Sequence, residues 1–160
     1  MSVTAYISLG SNMGEKARTL IKAVKMIDEI SGVEVKRISQ FIKTAPVGGP
    51  AGQEDYLNGV TEIVTDLAPE RLLDELQWIE RRLGRDRDSQ VRWGPRTCDL
   101  DILLMGELVI KTQRLTIPHA RLTRRKFVLA PLAQIAPDVV EPVSGKTAGD
   151  LLDELSGAEG

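Results

Sequence analysis

The chain has 160 residues, 42% hydrophobic and 28% charged, a length that suits one domain with a sizeable core. Lys and Arg number 21 and Asp and Glu 23, so the net charge is −2, which argues against nucleic-acid binding through bulk charge. The single cysteine, Cys98, excludes an internal disulfide framework and any multi-cysteine metal cage. No apolar run reaches the roughly 20 residues of a membrane helix. The first nine residues lack the basic-then-apolar order of a secretory signal. These features predict one cytoplasmic globular domain over residues 1–160, with no membrane association.

Residues 3–9 show a short, largely apolar strand pattern closed by Gly10, Ser11 and Asn12. Over 15–30, Leu20, Val24, Ile27 and Ile30 recur at helical spacing, and Gly32 is a stop. Residues 33–41 alternate as a strand with one slip at Arg37 and Ile38. Residues 43–55, which include Pro46, Gly48, Gly49, Pro50 and Gly52, predict a loop long enough to point to function. A third strand is expected over 56–65. Pro69 opens a helix with the stripe Leu72, Leu73, Leu76, Ile79 and Leu83, ended by Gly84, and Trp78 reads as packing within it. Residues 98–105 alternate as a fourth strand. Gly106 and Glu107 then predict a hairpin turn into 108–110, and 115–117 a further short strand. Helices are expected over 127–136 and 148–155, separated by Pro137 and Pro142. The order strand, helix, strand, strand, helix, strand predicts an α+β fold: a ferredoxin-like βαββαβ sandwich with helices packed on an antiparallel sheet, and extra C-terminal helices. That fold hosts many functions, so the chemistry must be sought in particular residues.

The most informative segment runs over 92–101, Arg-Trp-Gly-Pro-Arg-Thr-Cys-Asp-Leu-Asp. Alternation along a strand puts Asp99 and Asp101 on one face, about 6.6 Å apart at their Cα atoms, with Cys98, Leu100, Ile102 and Leu104 on the other. Two such carboxylates suit one or two hard cations. Between 81 and 96 lie six arginines, opposed only by Asp86 and Asp88, a local +4 in a chain whose total is −2. A second cluster, Arg114, Arg121, Arg124, Arg125 and Lys126, brackets the only histidine, His119. Arginine forks bind phosphate oxygens, and acids that hold magnesium beside arginines are what a nucleoside triphosphate requires.

Other phosphate motifs fail. After Gly10, Gly14 comes one residue too early for a P-loop, and Glu15-Lys16-Ala17 stands where Lys followed by Ser or Thr is needed. One histidine and one cysteine cannot build a common zinc site. Cys98 reads as a small buried hydrophobe. Thr44, Tyr56, Asn58 and Phe127 offer rings and amides for a flat heterocycle, though Tyr56 and Phe127 taken alone also read as core residues.

These segments resemble the 6-hydroxymethyl-7,8-dihydropterin pyrophosphokinase family. The resemblance runs from Tyr6-Ile7-Ser8-Leu9-Gly10-Ser11-Asn12 to Ile135-Ala136-Pro137, and its most specific part is 92–101 followed by Ile102-Leu103-Leu104. Asp55-Tyr56-Leu57-Asn58, Arg114-Leu115 and Ile117-Pro118-His119 also match. It implies an enzyme of folate biosynthesis that moves the β,γ-diphosphate of ATP to the pterin hydroxymethyl group and releases AMP. By this resemblance Asp99 and Asp101 hold two Mg2+ ions, and Arg85, Arg87, Arg92 and Arg96 join them in catalysis. ATP, the co-substrate, would be bound by Gln77, Glu80, Arg87, Arg92, Trp93, Arg96, Ile102, Arg114, Leu115, Thr116, His119 and Arg125. The pterin would be bound by Thr44, Ala45, Pro46, Val47, Tyr56, Asn58, Trp93 and Phe127. The expected partners are these two small molecules alone, with no nucleic acid, acting on a monomer. Two other readings stand beside it: a magnesium-dependent transferase with another alcohol or a single phosphoryl group, and an RNA-binding module. The RNA-binding reading lacks the aromatic-rich strand pattern of that fold's RNA binders.

Overall fold

The computed structural model describes residues 2–12, 14–45, 55–84 and 98–159. At the middle of its main sheet runs β1 (Val3–Ser11), paired antiparallel to β4 (Tyr56–Thr65) on one side and to β5 (Asp99–Met105) on the other. β2 (Val33–Ile38) and β3 (Ile42–Thr44) both pair antiparallel to β4, so the five strands run β2-β4-β1-β5 with β3 beside β4. The fold is α+β.

Strand alternation sends side chains into two separate cores. Ala5, Ile7 and Leu9 of β1 join Leu100 and Ile102 of β5 on the face covered by α1 (Lys16–Asp28) and α2 (Pro69–Arg82). Leu20, Ala23, Val24 and Ile27 of α1 and Leu72, Leu76 and Ile79 of α2 supply the helical side of that core, as their spacing predicts. Tyr6, Val60 and Leu104 point the opposite way, under α3 (Lys126–Ile135) and α4 (Ala148–Glu159). The C-terminal helices therefore cover the second face, and the domain has three layers.

α2 begins with Pro69 at its first turn, where a missing N–H costs nothing, and carries Glu70 in the first turn and Arg81 and Arg82 in the last, matching the helix dipole. Gly84 follows at φ 97°, a left-handed C-terminal stop that favours glycine. Several expectations are corrected here. β1 does not stop before Gly10: Gly10 and Ser11 pair with Asn58 and Leu57. The strand expected over 33–41 is broken. Its slip falls between Val35 and Arg37, and Ser39 interrupts the ladder because its Oγ accepts the Val60 N–H at 2.9 Å. Lys43 and Thr44 lie in β3, not in the loop, of which residues 46–54 are outside the described residues. Residues 108–110 do not pair back onto β5. β6 (Ile110–Lys111) instead pairs with β7 (Thr116–Ile117) in a separate two-stranded ribbon. Trp78 is not core: it is 48% exposed, with the Arg82 guanidinium 5.5 Å from its ring centroid.

Leu104 is a further correction. Between Tyr6 and Ile7 the β1–β5 register shifts, since Tyr6 faces Leu104 and Ile7 faces Ile102. Leu103 is the extra residue of a β-bulge. Past it the alternation reverses, so Leu104 enters the α3–α4 core with Leu103, and Met105 returns to the α1–α2 core.

Candidate active site

Asp99, Gly10 and Asn58 are successive partners across β5, β1 and β4, and so share one face of the sheet. Asp101 lies two residues along the same face, opposite Ser8. Leu100 between them is buried on the other face, and Cys98 is buried with it, as the alternation predicts. The face carrying the acids is the one that α3 and α4 cover further along, and the Asp101 side chain remains 41% exposed.

His119 closes this side. Its backbone N–H donates to Leu103 O at 2.9 Å, on the outer edge of β5, and its Nε2 stands 3.9 Å from Asp101 Oδ2. The Arg121 N–H donates to Nδ1 at 3.1 Å, which assigns the ring proton to Nε2, facing the aspartate. Burial and the neighbouring Arg125 push the His119 pKa below its ordinary value, and Arg121 adds to this against the opposing pull of Asp99. The imidazole is neutral at pH 7, so its approach to Asp101 is not an ion pair. Arg125 is itself held below the usual guanidinium range, first by burial and then by Arg121, with Asp101 and Asp99 opposing. Asp99, Asp101, His119 and Arg125 thus form one electrostatic group. Arg121, which the sequence placed only in a basic cluster, belongs to it as well.

Three of the residues expected to bind a flat heterocycle, Thr44, Tyr56 and Asn58, meet on β3 and β4. Asn58, 7% exposed, donates through Nδ2 to Thr44 Oγ1 at 2.6 Å, and Thr44 pairs with Tyr56 in the ladder. A Cβ on Gly10 would lie 3.3 Å from Asn58 Oδ1 and 3.8 Å from Tyr56 Cδ1. Gly10 therefore keeps open the ground between the amide and the acids. Sequence reasoning treated it as a strand stop and as the first glycine of a phosphate loop that fails, because a strand glycine signals close approach only once its cross-strand neighbours are known. Phe127 packs at the edge of the α3–α4 core, with the Arg125 guanidinium 5.5 Å from its ring centroid. Ala45 follows β3 directly.

The remaining predicted nucleotide residues spread over α2, β5 and the ribbon with the turn that joins its strands. Ile102 and Leu115 are buried in the α1–α2 core, and Thr116 lies half-buried in β7. Gln77 is half-buried on α2. Glu80, also on α2, is 2% exposed and accepts the Leu100 N–H at 2.8 Å. Arg114 donates to Asp74 Oδ1 at 2.6 Å and lies 3.6 Å from Glu70, and the bond to Asp74 raises its pKa. Pro46, Val47, Arg85, Arg87, Arg92, Trp93 and Arg96 lie outside the described residues.

The two aspartates suit magnesium in kind and in number. They are hard oxygen donors on one face, and Mg2+ is commonly held by one or two carboxylates while water and substrate phosphates complete its shell. No group of three or more potential ligands occurs among the described residues, so an all-protein cage is not formed by them. Among the described residues no helix is long and apolar enough to cross a membrane.

Residues 6–137 match the family described as 7,8-dihydro-6-hydroxymethylpterin-pyrophosphokinase (HPPK). The chain is 49% identical over 142 residues to the 2-amino-4-hydroxy-6-hydroxymethyldihydropteridine pyrophosphokinase of Haemophilus influenzae, covering 89% of this chain and 87% of that protein. It is 47% identical over 139 residues to the Bacillus subtilis protein of the same name, covering 87% and 81%. Among solved structures it resembles Plasmodium falciparum HPPK-DHPS crystallised with pteroate, at a TM-score of 0.76 and 14% identity, over 96% of this chain. It spans 42% of that longer chain, and at this identity the likeness concerns the fold alone. The sequence matches place the chain among the pyrophosphokinases, which are transferases. It belongs to the 7,8-dihydro-6-hydroxymethylpterin-pyrophosphokinase family.

Proposed function

We propose that the chain transfers the β,γ-diphosphate of ATP to the hydroxymethyl oxygen of 6-hydroxymethyl-7,8-dihydropterin, releasing AMP, as a step of folate biosynthesis. The observation that carries this reading is the row Asp99–Gly10–Asn58, which sets the carboxylate pair and the Asn58 amide on one face of the sheet with only a glycine between them. Thr44, Ala45, Tyr56, Asn58 and Phe127, with Pro46, Val47 and Trp93, bind the pterin. Asn58 supplies amide hydrogen bonds, and its Nδ2 is already oriented by Thr44. The hydroxymethyl oxygen attacks the β-phosphorus in line with the α,β-bridging oxygen; that P–O bond breaks, AMP leaves with the bridging oxygen, and the hydroxyl proton is released to solvent.

Asp99 and Asp101 would hold magnesium, two ions by family resemblance, which when bound would supply positive charge against the triphosphate. Arg125 and the Nε2–H of His119 face the same ground and stabilise charge on the triphosphate. Arg85, Arg87, Arg92 and Arg96 complete the charge balance, while Gln77, Arg114 and Thr116, with the backbone of Ile102 and Leu115, receive the nucleoside. The strand order β2-β4-β1-β5 reads as ferredoxin-like once β2 and β3 count as one interrupted edge strand. We further read the chain as a single cytoplasmic domain that acts as a monomer.

The test supplies ATP and the reduced hydroxymethylpterin, with and without Mg2+, and separates the nucleotide products by chromatography. Magnesium-dependent AMP is expected. ADP would overturn the reading in favour of single phosphoryl transfer, and salt-sensitive RNA affinity without ATP turnover would favour a binding module.

A further inference from the structure

β5 is an edge strand of the main sheet: β1 pairs with one side of it, and no other strand among the described residues pairs with it. An edge strand presents unpaired N–H and C=O groups, and one that carries a metal site must also be kept from shifting. Among the described residues, two groups outside the sheet bond to this edge. The His119 N–H donates to Leu103 O, and Glu80 Oε2 accepts the Leu100 N–H. Leu100 is the residue between the two aspartates, so its peptide groups link them directly. Glu80 reaches it from α2, whose buried residues are Leu72, Leu76, Ile79 and Glu80 itself, 2% exposed. A carboxyl group placed in such surroundings costs stability unless its hydrogen bonds compensate, and the bond observed here goes to the metal-bearing strand.

We propose that Glu80 is a positioning residue: it fixes the Leu100 peptide, and through it the spacing and direction of Asp99 and Asp101. This goes beyond the nucleotide contact that family resemblance implies for Glu80. It rests on the reading of Asp99 and Asp101 as a magnesium pair. The two aspartates lie on the face opposite Leu100, so Glu80 sets their backbone without sharing their cation.

The experiment uses the full chain and two readouts, amide hydrogen exchange of the metal-free protein and Mn2+ binding as a probe of the acids. Glu80→Met removes the acceptor at similar bulk. Leu100 protection should fall about tenfold while amides of α1 are unchanged, and Mn2+ affinity should weaken by about tenfold. Glu80→Gln retains an acceptor oxygen and should restore both to within about threefold of wild type. If Glu80→Met does not fold, Glu80→Asp, which withdraws the oxygen by one methylene, should show the same loss at Leu100. Unchanged Leu100 protection in the Met or Asp variant overturns the proposal. So does a Gln variant that keeps that protection yet binds Mn2+ or ATP as weakly as the Met variant, since the carboxyl would then act by direct contact. A wild-type protein with a protected Leu100 amide but no Mn2+ binding overturns the magnesium reading itself, an outcome distinct from the others.

Discussion

His119 draws its chemistry from three directions: burial, the cations of Arg125 and Arg121, and a backbone donor that occupies Nδ1. The folded chain resists its protonation, whereas the unfolded chain takes up the proton at about pH 6.5. The unfolded state therefore binds more protons as pH falls through that value, and folding stability is lost toward acid until the folded imidazole also titrates. Above that range the effect vanishes. The wild-type protein should lose more stability between pH 7 and pH 5 than His119→Asn, measured by urea unfolding at both values. The imidazole should titrate by NMR below pH 6.5, and a midpoint at or above it contradicts the electrostatic account. Of the candidate site, the acid pair and His119 were legible in the sequence because strand alternation and charge clusters are local. The closeness of Gly10 to Asn58 and the placing of Arg121 against the His119 ring were not, since both arise only from cross-strand and cross-loop neighbours.

The helices were legible as elements. Leu72, Leu76 and Ile79 announced α2 through their period, and Pro69 and Gly84 marked its limits. The sheet was less so, because pairing depends on exceptions to alternation that composition does not reveal. Ser39 breaks the edge strand by placing its hydroxyl where a backbone carbonyl would accept, and a serine among polar residues carries no such signal. At this break Phe41 packs over Gly59, where a Cβ would come within 2.6 Å of Phe41 Cδ1 and 3.3 Å of Ser39 Oγ. Gly59→Ala should therefore destabilise the protein by about 1–3 kcal/mol through overpacking. A lowered urea midpoint at constant m-value is the expected result, and an unchanged midpoint would show that Phe41 can move aside freely. On either side of the break, Arg37 Nη1 donates to Ile135 O at 2.8 Å and Gln134 Oε1 accepts the Gln40 N–H at 2.7 Å, tying the edge of the sheet to the end of α3.

At the scale of the molecule, two cores on opposite sides of one sheet hold the site at the end that the C-terminal helices leave partly open. A ligand recognised only by the folded chain should stabilise the whole. The magnesium complex of a nonhydrolysable ATP analogue, taken as one ligand at about 100 times its dissociation constant, should add about 2.7 kcal/mol and raise Tm by roughly 5–10 °C. Asp101→Asn should remove most of that shift, as read by calorimetry, and an undiminished shift would detach the metal from Asp101. The bulge at Leu103 gives this architecture a counting rule. It parts a segment whose outward residues are acids from one whose residues feed both hydrophobic layers. Adding or removing one residue between it and Cys98 would turn the acids toward oil and the leucines toward water, so this stretch should tolerate exchanges of side chain far better than changes of length.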